Sequence, residues 1–329
     1  MAKLVTIYGG AGFVGRYIAR RMAKEGWRVR VAVRRPNEAL HVKPYGAVGQ
    51  VEPVFCNIRD DASVRAAMQG ADAVINCVGV LTEKGKNSFS AVQAEGAGRI
   101  AKIATQLGVS NLVQLSAIGA DDESQSEYSR SKAEGETAVL AAFPGAVILR
   151  PSVIFGTEDA FFNRFANMAA QLPFVLTLVG GNTKFQPVYV DDVARAAVAG
   201  ALGEAPAGAY ELGGPDVDTL KGLIEKMLVT IRRRRLVLNL PFWAGRVMAT
   251  GFSAIQFLTA GLFHNGVLTK DQVKNLAVDN VVSADARGFA DLGIKPTAMQ
   301  VIMDDYLWVY RPNGQFEALR ESAKGLRDL

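Results

Sequence analysis

The first fifteen residues constrain this chain more than any other segment. Lys3-Leu4-Val5-Thr6-Ile7 reads as a short buried strand that runs straight into Tyr8-Gly9-Gly10-Ala11-Gly12-Phe13-Val14-Gly15. Gly9, Gly12 and Gly15 follow the spacing GxxGxxG. The first permits a tight strand-to-helix turn, the second lets a pyrophosphate approach the backbone, and the third lets helix pack on strand. Phe13 to Lys24 carries a helical pattern closed by Gly26, the context this spacing requires. The N–H groups near Phe13 and Val14 and the positive end of that helix then face any bound anion. The segment is a dinucleotide-binding turn.

The next strand selects the dinucleotide. Arg28-Val29-Arg30-Val31-Ala32-Val33 ends at Arg34-Arg35, where an NAD-selective site would carry Asp or Glu to accept from the ribose 2′-hydroxyl. Arginine accepts no hydrogen bond but grips a 2′-phosphate with its planar fork, so NADPH is favoured over NADH. The plainer alternative is that both arginines solvate a strand end.

The chain has 329 residues, 49% hydrophobic and 21% charged, enough for one large α/β core and a smaller lobe. Cys56 and Cys77 are expected to be free thiols in a reducing compartment. The two histidines, His41 and His264, belong to no cluster with metal-ligand spacing. A net charge of +5 is modestly basic, and no nucleic-acid motif accompanies it. The first strand begins at residue 3, which leaves no leader or lipid anchor in this sequence and suggests a bacterial or already processed chain.

Over the first 150 residues strands and helices alternate with short turns, the pattern of a parallel sheet covered on both faces. Strands are expected at 51–56, 73–79, 111–116 and 146–150, and helices at 62–68, 90–107 and 128–143, with a polar loop at 82–90. The fold class is α/β: a Rossmann-type doubly wound parallel sheet with a smaller, mostly helical C-terminal lobe. Ligands of such sheets lie outside the carboxyl ends of the strands, so Asn57, Ile58, Gly79, Ser116 and Pro151 converge on one crevice.

Tyr128-Ser129-Arg130-Ser131-Lys132 has the form YxxxK, which puts phenol and ammonium on one helix face. A nearby ammonium favours tyrosinate and lowers the tyrosine pKa. Joined to the glycine turn and to Leu149-Arg150-Pro151-Ser152-Val153-Ile154-Phe155-Gly156 and Gln186-Pro187-Val188-Tyr189-Val190-Asp191-Asp192-Val193-Ala194, it resembles the extended and atypical short-chain dehydrogenase/reductases over roughly the first 215 residues. The resemblance implies that Ile58 borders the adenine and that Tyr128 and Lys132 match the active-site pair. It also implies that Pro151, Ser152 and Val153 line the nicotinamide. Asn57 stands where relatives usually carry Asp, and Gln93 where they carry Asn. The catalytic hydroxyl sits later in a Ser/Thr-rich run than Ser116, and this chain continues Ala117-Ile118. If Ile118 occupies that place, losing the donor costs on the order of 3 kcal/mol in the transition state. Nucleotide binding would be untouched.

Beyond Gly214 the character changes. Arg232-Arg233-Arg234-Arg235 leads into Leu236-Val237-Leu238-Asn239-Leu240-Pro241-Phe242-Trp243 and an apolar stretch over 244–263, too interrupted for a membrane span. This reads as the core of the small lobe, as a docking surface for a membrane-bound partner or anionic lipid head groups through the four arginines, or as both. The segments 268–283, Phe289-Ala290-Asp291-Leu292-Gly293-Ile294-Lys295-Pro296-Thr297 and Tyr306-Leu307-Trp308-Val309-Tyr310-Arg311 resemble the short-chain-dehydrogenase-like accessory subunits of respiratory complex I (NADH:ubiquinone oxidoreductase), in a bacterial version. That resemblance implies a tightly held, structural NADPH, other complex I subunits as partners, and no turnover. It puts the chain on the peripheral arm at the cytoplasmic face of a bacterial inner membrane, or the matrix face if mitochondrial. The expected division is an NADP(H)-binding domain over 1–215 and a lobe over 216–329. The competing expectation is an active NADP-dependent reductase or epimerase on a carbonyl or sugar-like substrate, with Tyr128, Lys132 and Ser116 as its catalytic residues.

Overall fold

The structure, a computed structural model, describes residues 2–245, 247, 250 and 269–316. The chain forms two compact units: Met1–Ser152, Val190–Gly213 and Val282–Pro296 in the first, and Val153–Tyr189, Gly214–Val281 and Thr297–Leu329 in the second. The linear boundary drawn at 215 lies beside the crossing at Gly213–Gly214. It has no means to express the interleaving of 153–189 and 282–296.

The first unit opens with β1 (Leu4–Tyr8), α1 (Phe13–Lys24), β2 (Arg28–Val33), β3 (Val51–Phe55), α2 (Asp61–Met68) and β4 (Ala73–Asn76). It continues with α3 (Glu95–Gln106), β5 (Asn111–Leu115), α4 (Glu127–Ala142) and β6 (Val147–Pro151). The short strands β7 (Ile154–Phe155), β8 (Val175–Val179), β9 (Lys184–Phe185) and β10 (Val188–Tyr189), with helix α5 (Phe162–Gln171), belong to the second unit. The chain then returns with α6 (Val190–Leu202) and β11 (Gly208–Leu212).

Seven strands of the first unit form one parallel sheet in the order β11-β6-β5-β4-β1-β2-β3. Strands β1 and β4 are buried along their whole length, which is why both read as near-continuous apolar runs. α2, α3 and α4 share one apolar core with the sheet, while α1 packs with α6, tied by Arg21 Nε to Asp191 Oδ1 at 2.7 Å. Strand order reverses between β1 and β4, the place where a doubly wound sheet opens a crevice.

Local chemistry sets the elements that carry the site. Asp60 caps α2 by accepting from the Ser63 amide at 2.7 Å, and Ser126 caps α4 by accepting from the Ser129 amide at 3.3 Å. One departure from sequence expectation stands out: the helix expected over 90–107 begins as a π-helical turn, Ser90–Ala94, before α3. The segment Pro36–Tyr45, for which the sequence raised no expectation, forms a 3-10 helix.

The second unit also holds α7 (Leu220–Thr230), β12 (Asp218–Thr219), β13 (Leu236–Leu240) and the helices Lys270–Asn275 and Met299–Leu307. Alongside its helices, its described residues form three two-stranded sheets, β10-β7, β12-β9 and β13-β8. Phe155, Phe162, Ile224, Met227, Met303 and Leu307 lie at its core. Most of the apolar stretch 244–263, with Arg246, lies outside the described residues, as does His264. Among the described residues no helix is long and apolar enough to cross a membrane.

A buried carboxylate organises the turn between β7 and α5. Asp159 accepts from the Phe161 and Asn163 amides at 3.0 Å each, from the Gly156 amide at 3.1 Å and from the Tyr306 hydroxyl at 2.6 Å. Burial still holds its pKa above the ordinary carboxylate value, because desolvation outweighs these hydrogen bonds. A carboxyl raised in this way favours the folded state in acid, and that contribution is lost as pH rises through the raised value. The Tyr306 hydroxyl bonds the charged form, so its removal costs most once Asp159 is ionised. Tyr306→Phe is expected to lower unfolding free energy by about 2 kcal/mol near neutral pH and by less in acid, as read by urea unfolding at both pH values.

Candidate functional site

The glycine turn is built as its spacing demands. Gly9 adopts φ +75° and its amide donates to the Ala32 carbonyl at 3.0 Å, fixing the turn to the end of β2. A Cβ at Gly15 would lie 2.6 Å from Gly10 Cα and closer still to the Gly9 carbonyl oxygen. No side chain fits there, which is what brings α1 onto the turn. Gly12 is the N-cap of α1 and supplies no side-chain cap, so the amides of Phe13, Val14 and Gly15 keep their donors for an anion.

At the end of β2 both arginines are exposed, and they differ in their partners. Arg35 pairs with Glu38 at 2.9 Å. Among the described residues Arg34 has neither a hydrogen-bond nor an ion-pair partner, so its fork is available for a phosphate. Beyond β3, the Asn57 amide donates to Ser63 Oγ at 2.9 Å, and its Oδ1 accepts from the Arg59 amide at 3.2 Å. The Ile58 side chain lies against Gly96 of α3, where an added Cβ would come within 2.9 Å of Ile58 Cδ1.

Gly79, Ser116, Tyr128 and Lys132 come together at the carboxyl ends of β4 and β5. Lys132 Nζ donates to the Leu115 carbonyl at 3.4 Å and lies 5.8 Å from the Tyr128 ring centroid. A Cβ on Gly79 would stand 3.4 Å from that same nitrogen. Phe89 packs edge-on against Tyr128, with ring centroids 5.9 Å apart. Pro151 ends β6, and its carbonyl accepts from the Ile118 amide at 3.0 Å. The buried Ser152 donates its amide to the Leu212 carbonyl at 2.9 Å. Val153 opens the second unit, unlike the rest of the expected site residues.

Burial dominates the electrostatics. It pushes the Lys132 pKa down to about 8, with Glu136 and Cys77 acting in the opposite direction. It pushes the Tyr128 phenol up to about 12. The lowering of the phenol expected from YxxxK spacing is therefore not what this geometry produces, since the ammonium sits over the ring of the half-buried Tyr128 and desolvation resists ionisation of its hydroxyl. Both cysteines are free thiols, held protonated by burial at about 11 for Cys56 and about 12 for Cys77. Among the described residues no cluster of His, Cys, Asp and Glu could hold a metal ion.

Several site residues escaped the spacing arguments. Asn76 Nδ2 donates to Gln114 Oε1 at 2.8 Å, Asn76 Oδ1 accepts from the Val78 amide at 3.1 Å, and Gln114 Nε2 donates to the Leu115 carbonyl at 2.8 Å. This buried amide pair sets the turn leading to Gly79 and orients the carbonyl that Lys132 meets. Its sequence signal is slight: an amide among apolar residues near the carboxyl end of each strand. Gln93 Nε2 holds the Val80 carbonyl at 3.2 Å. Its backbone carbonyl fills the space where a side chain at Gly135 would go.

These residues fit a nicotinamide dinucleotide. The glycine cradle, the uncapped α1 terminus and the exposed Arg34 match pyrophosphate and phosphate chemistry. Among the described residues the buried Ser116 Oγ and Gln93 Oε1 have no hydrogen-bond partner, as expected of groups that serve a ligand. A buried unpaired hydroxyl costs about 1–3 kcal/mol. Ser116→Ala is therefore expected to raise the stability of the ligand-free protein by roughly 1 kcal/mol while weakening the binding of a nicotinamide dinucleotide; thermal unfolding with and without nucleotide reads both effects.

Of the basic run, Arg233 Nε donates to the Tyr310 carbonyl at 2.8 Å and Arg235 Nε to the Ala169 carbonyl at 3.0 Å. Arg232 and Arg234 are exposed, as are Leu236, Leu238 and Trp243 after them.

Residues 5–213 match the profile of the NAD dependent epimerase/dehydratase family. A relative from Arabidopsis thaliana, the mitochondrial NADH dehydrogenase [ubiquinone] 1 alpha subcomplex subunit 9, is 36% identical over 316 residues, covering 94% of this chain and 79% of the relative. Its namesake from Mus musculus is 32% identical, covering 91% and 78%. These relatives are mitochondrial and do not bear out a bacterial type. In fold, the NADPH-dependent quinone oxidoreductase QOR2 from Escherichia coli, solved with NADPH, matches with a TM-score of 0.68 at 18% identity, over 92% of this chain and 98% of that one.

Proposed function

The chain belongs to the NAD dependent epimerase/dehydratase family, in the group of the 1 alpha subcomplex subunit 9 of NADH dehydrogenase, and we propose that it is an accessory subunit of respiratory complex I that holds NADPH as a structural element. The observation that carries this reading is the reach of the 36% identity, which spans 94% of the chain and so extends past residue 213, where the family profile stops. A shared nucleotide-binding fold alone would not require likeness in the lobe.

The site supports binding without turnover. NADPH, when bound, supplies a hydride donor, and this chain's part would be to hold it: Gly9, Gly12, Phe13, Val14 and Gly15 at the pyrophosphate, Arg34 at the 2′-phosphate, Arg35 beside it. Asn57 and Ile58 would border the adenine, Gly79, Ser116, Tyr128 and Lys132 the nicotinamide ribose, and Pro151, Ser152 and Val153 the nicotinamide. A phenol pushed up to about 12 is a poor match for proton transfer near neutral pH. A ligand that binds only the folded state stabilises it by about 4 kcal/mol at a thousandfold excess over Kd, a sufficient reason to retain a nucleotide that is not consumed.

The partners in this reading are other complex I subunits, with the chain peripheral to the membrane. That face is the matrix side in a mitochondrion and the cytoplasmic side in a bacterium. Arg232 and Arg234, exposed beside Leu236, Leu238 and Trp243, would be its contribution to any contact with anionic head groups.

Isolation of the tagged chain from gently solubilised native membranes tests the proposal. Recovery in a very large assembly with NADH:quinone activity is the expected result. Recovery as a small soluble species that oxidises NADPH against a carbonyl substrate, with loss of turnover in Tyr128→Phe, would replace it by the reductase reading. For the cofactor, Arg34→Asp is expected to lower the preference for NADPH over NADH about tenfold or more in direct binding titrations; an unchanged preference would remove Arg34 from the site.

A further inference from the structure

Lys132 is 7% exposed, and its ammonium reaches one acceptor among the described residues, the Leu115 carbonyl at 3.4 Å. Such a burial strongly favours the neutral amine. Four residues along the same helix face, Glu136 is 5% exposed. Its carboxylate is gripped by Arg150 at the end of β6, with Nε 3.0 and 3.1 Å from the two oxygens and Nη2 2.6 Å from one of them. On its far side Arg150 Nη1 stands 3.8 Å from Glu211 of β11. Glu136 makes no ion pair with Lys132. It is instead a fixed anion one helical turn away, in a region where charges are weakly screened.

We infer that Glu136 is a positioning residue for the nucleotide site: held by Arg150, its carboxylate is the buried counter-charge that keeps Lys132 in the site as a cation. The inference rests on the reading that this site holds NADPH, since the charge matters for a ribose that Lys132 would hold by charge-assisted hydrogen bonds. The other groups facing the ammonium are the Cys77 thiol at the end of β4, which burial keeps protonated, and the Tyr128 ring on its own helix. Neither supplies a negative charge near neutral pH. Glu136 is therefore the group whose loss changes the charge of the site without touching the nucleotide.

The sign follows from burial. Lys132 already titrates low, and an anion nearby raises its pKa, so removing the anion moves its deprotonation toward neutral pH. The experiment is an NMR titration of the full chain carrying lysine labelled at the ε-carbon, without nucleotide, for the wild type, Glu136→Gln and Glu136→Asp. The expected result is a Lys132 titration that moves down by about one pH unit in Glu136→Gln and stays near the wild-type position in Glu136→Asp. A Lys132 titration unchanged in Glu136→Gln overturns the inference. If Glu136→Gln does not fold because Arg150 then keeps only Glu211 as a counter-ion, the charge-balanced Glu136→Gln/Arg150→Gln variant takes its place, with a movement in the same direction but smaller, since a cation that opposed Glu136 leaves with it, and with the same overturning outcome. An NADPH titration of the same proteins tests the underlying reading separately. Wild-type affinity should weaken through the Lys132 titration, and that weakening should begin at lower pH in Glu136→Gln. Failure of the wild type to bind NADPH would defeat the cofactor assignment while the NMR result still decides the role of Glu136.

Discussion

The close approach of α1 to the turn after β1 is the constraint on which the first unit depends. Gly15 sits so near Gly9 and Gly10 that a methyl group would strike backbone, not a side chain able to move aside. Because α1 can descend onto the turn, its first-turn amides point out past the end of β1 at the place where strand order reverses. The same descent seats α1 against α6, where Arg21 meets Asp191. A larger residue at position 15 would tilt the helix, moving the anion-facing amides and the α1–α6 packing together. Binding geometry and fold stability share this one contact.

Charge and burial divide the site into two parts with different aptitudes. At the end that meets phosphate on the proposed reading, the groups are exposed or open: Arg34 in solvent and the α1 amides uncapped by any side chain. At the end that would meet the ribose they are more enclosed, and burial acts in opposite directions on the two members of the YxxxK pair, down for Lys132 and up for Tyr128. An enclosed ammonium that stays charged is a good clamp. An enclosed phenol that stays protonated is a poor acid. The buried Glu136–Arg150 pair strengthens the first tendency and leaves the second untouched.

How legible each part was depended on how local its cause is. The bounds of α1 and β2 were readable to the residue, because a glycine turn, an apolar stripe and Gly26 at φ +78° are all contiguous in sequence. The π-helical turn at Ser90–Ala94 was not, since it is a matter of packing: the Gln93 carbonyl is accommodated by Gly135, more than forty residues away. Glycine turn, arginines, tyrosine and lysine stood out as motifs, whereas the Asn76–Gln114 pair did not, because a buried amide acquires meaning only from the strand beside it. The pKa of Tyr128 misled for the same reason. Spacing reveals that a lysine lies on the same face, but not that the ammonium stands over the ring and that Phe89 walls the phenol in.

A site of this kind stores stability that only a ligand can release. Ser116 Oγ and Gln93 Oε1 are desolvated without a protein partner, and the α1 amides face outward uncapped. On the proposed reading, the two desolvated side-chain atoms are a penalty the polypeptide bears alone, and they and the open amides make hydrogen bonds once a dinucleotide is in place. In an enzyme such groups are tuned to loosen and tighten as substrate and product exchange. In a subunit that does not turn over, the same groups have only to close once. Strong binding is then an advantage, because no step of a cycle requires the nucleotide to leave. On the proposed reading, retention of the full binding half of a dehydrogenase beside a phenol unsuited to proton transfer is therefore no contradiction: what served as a cofactor's berth becomes part of the fold's own core, with the nucleotide as its last packed element.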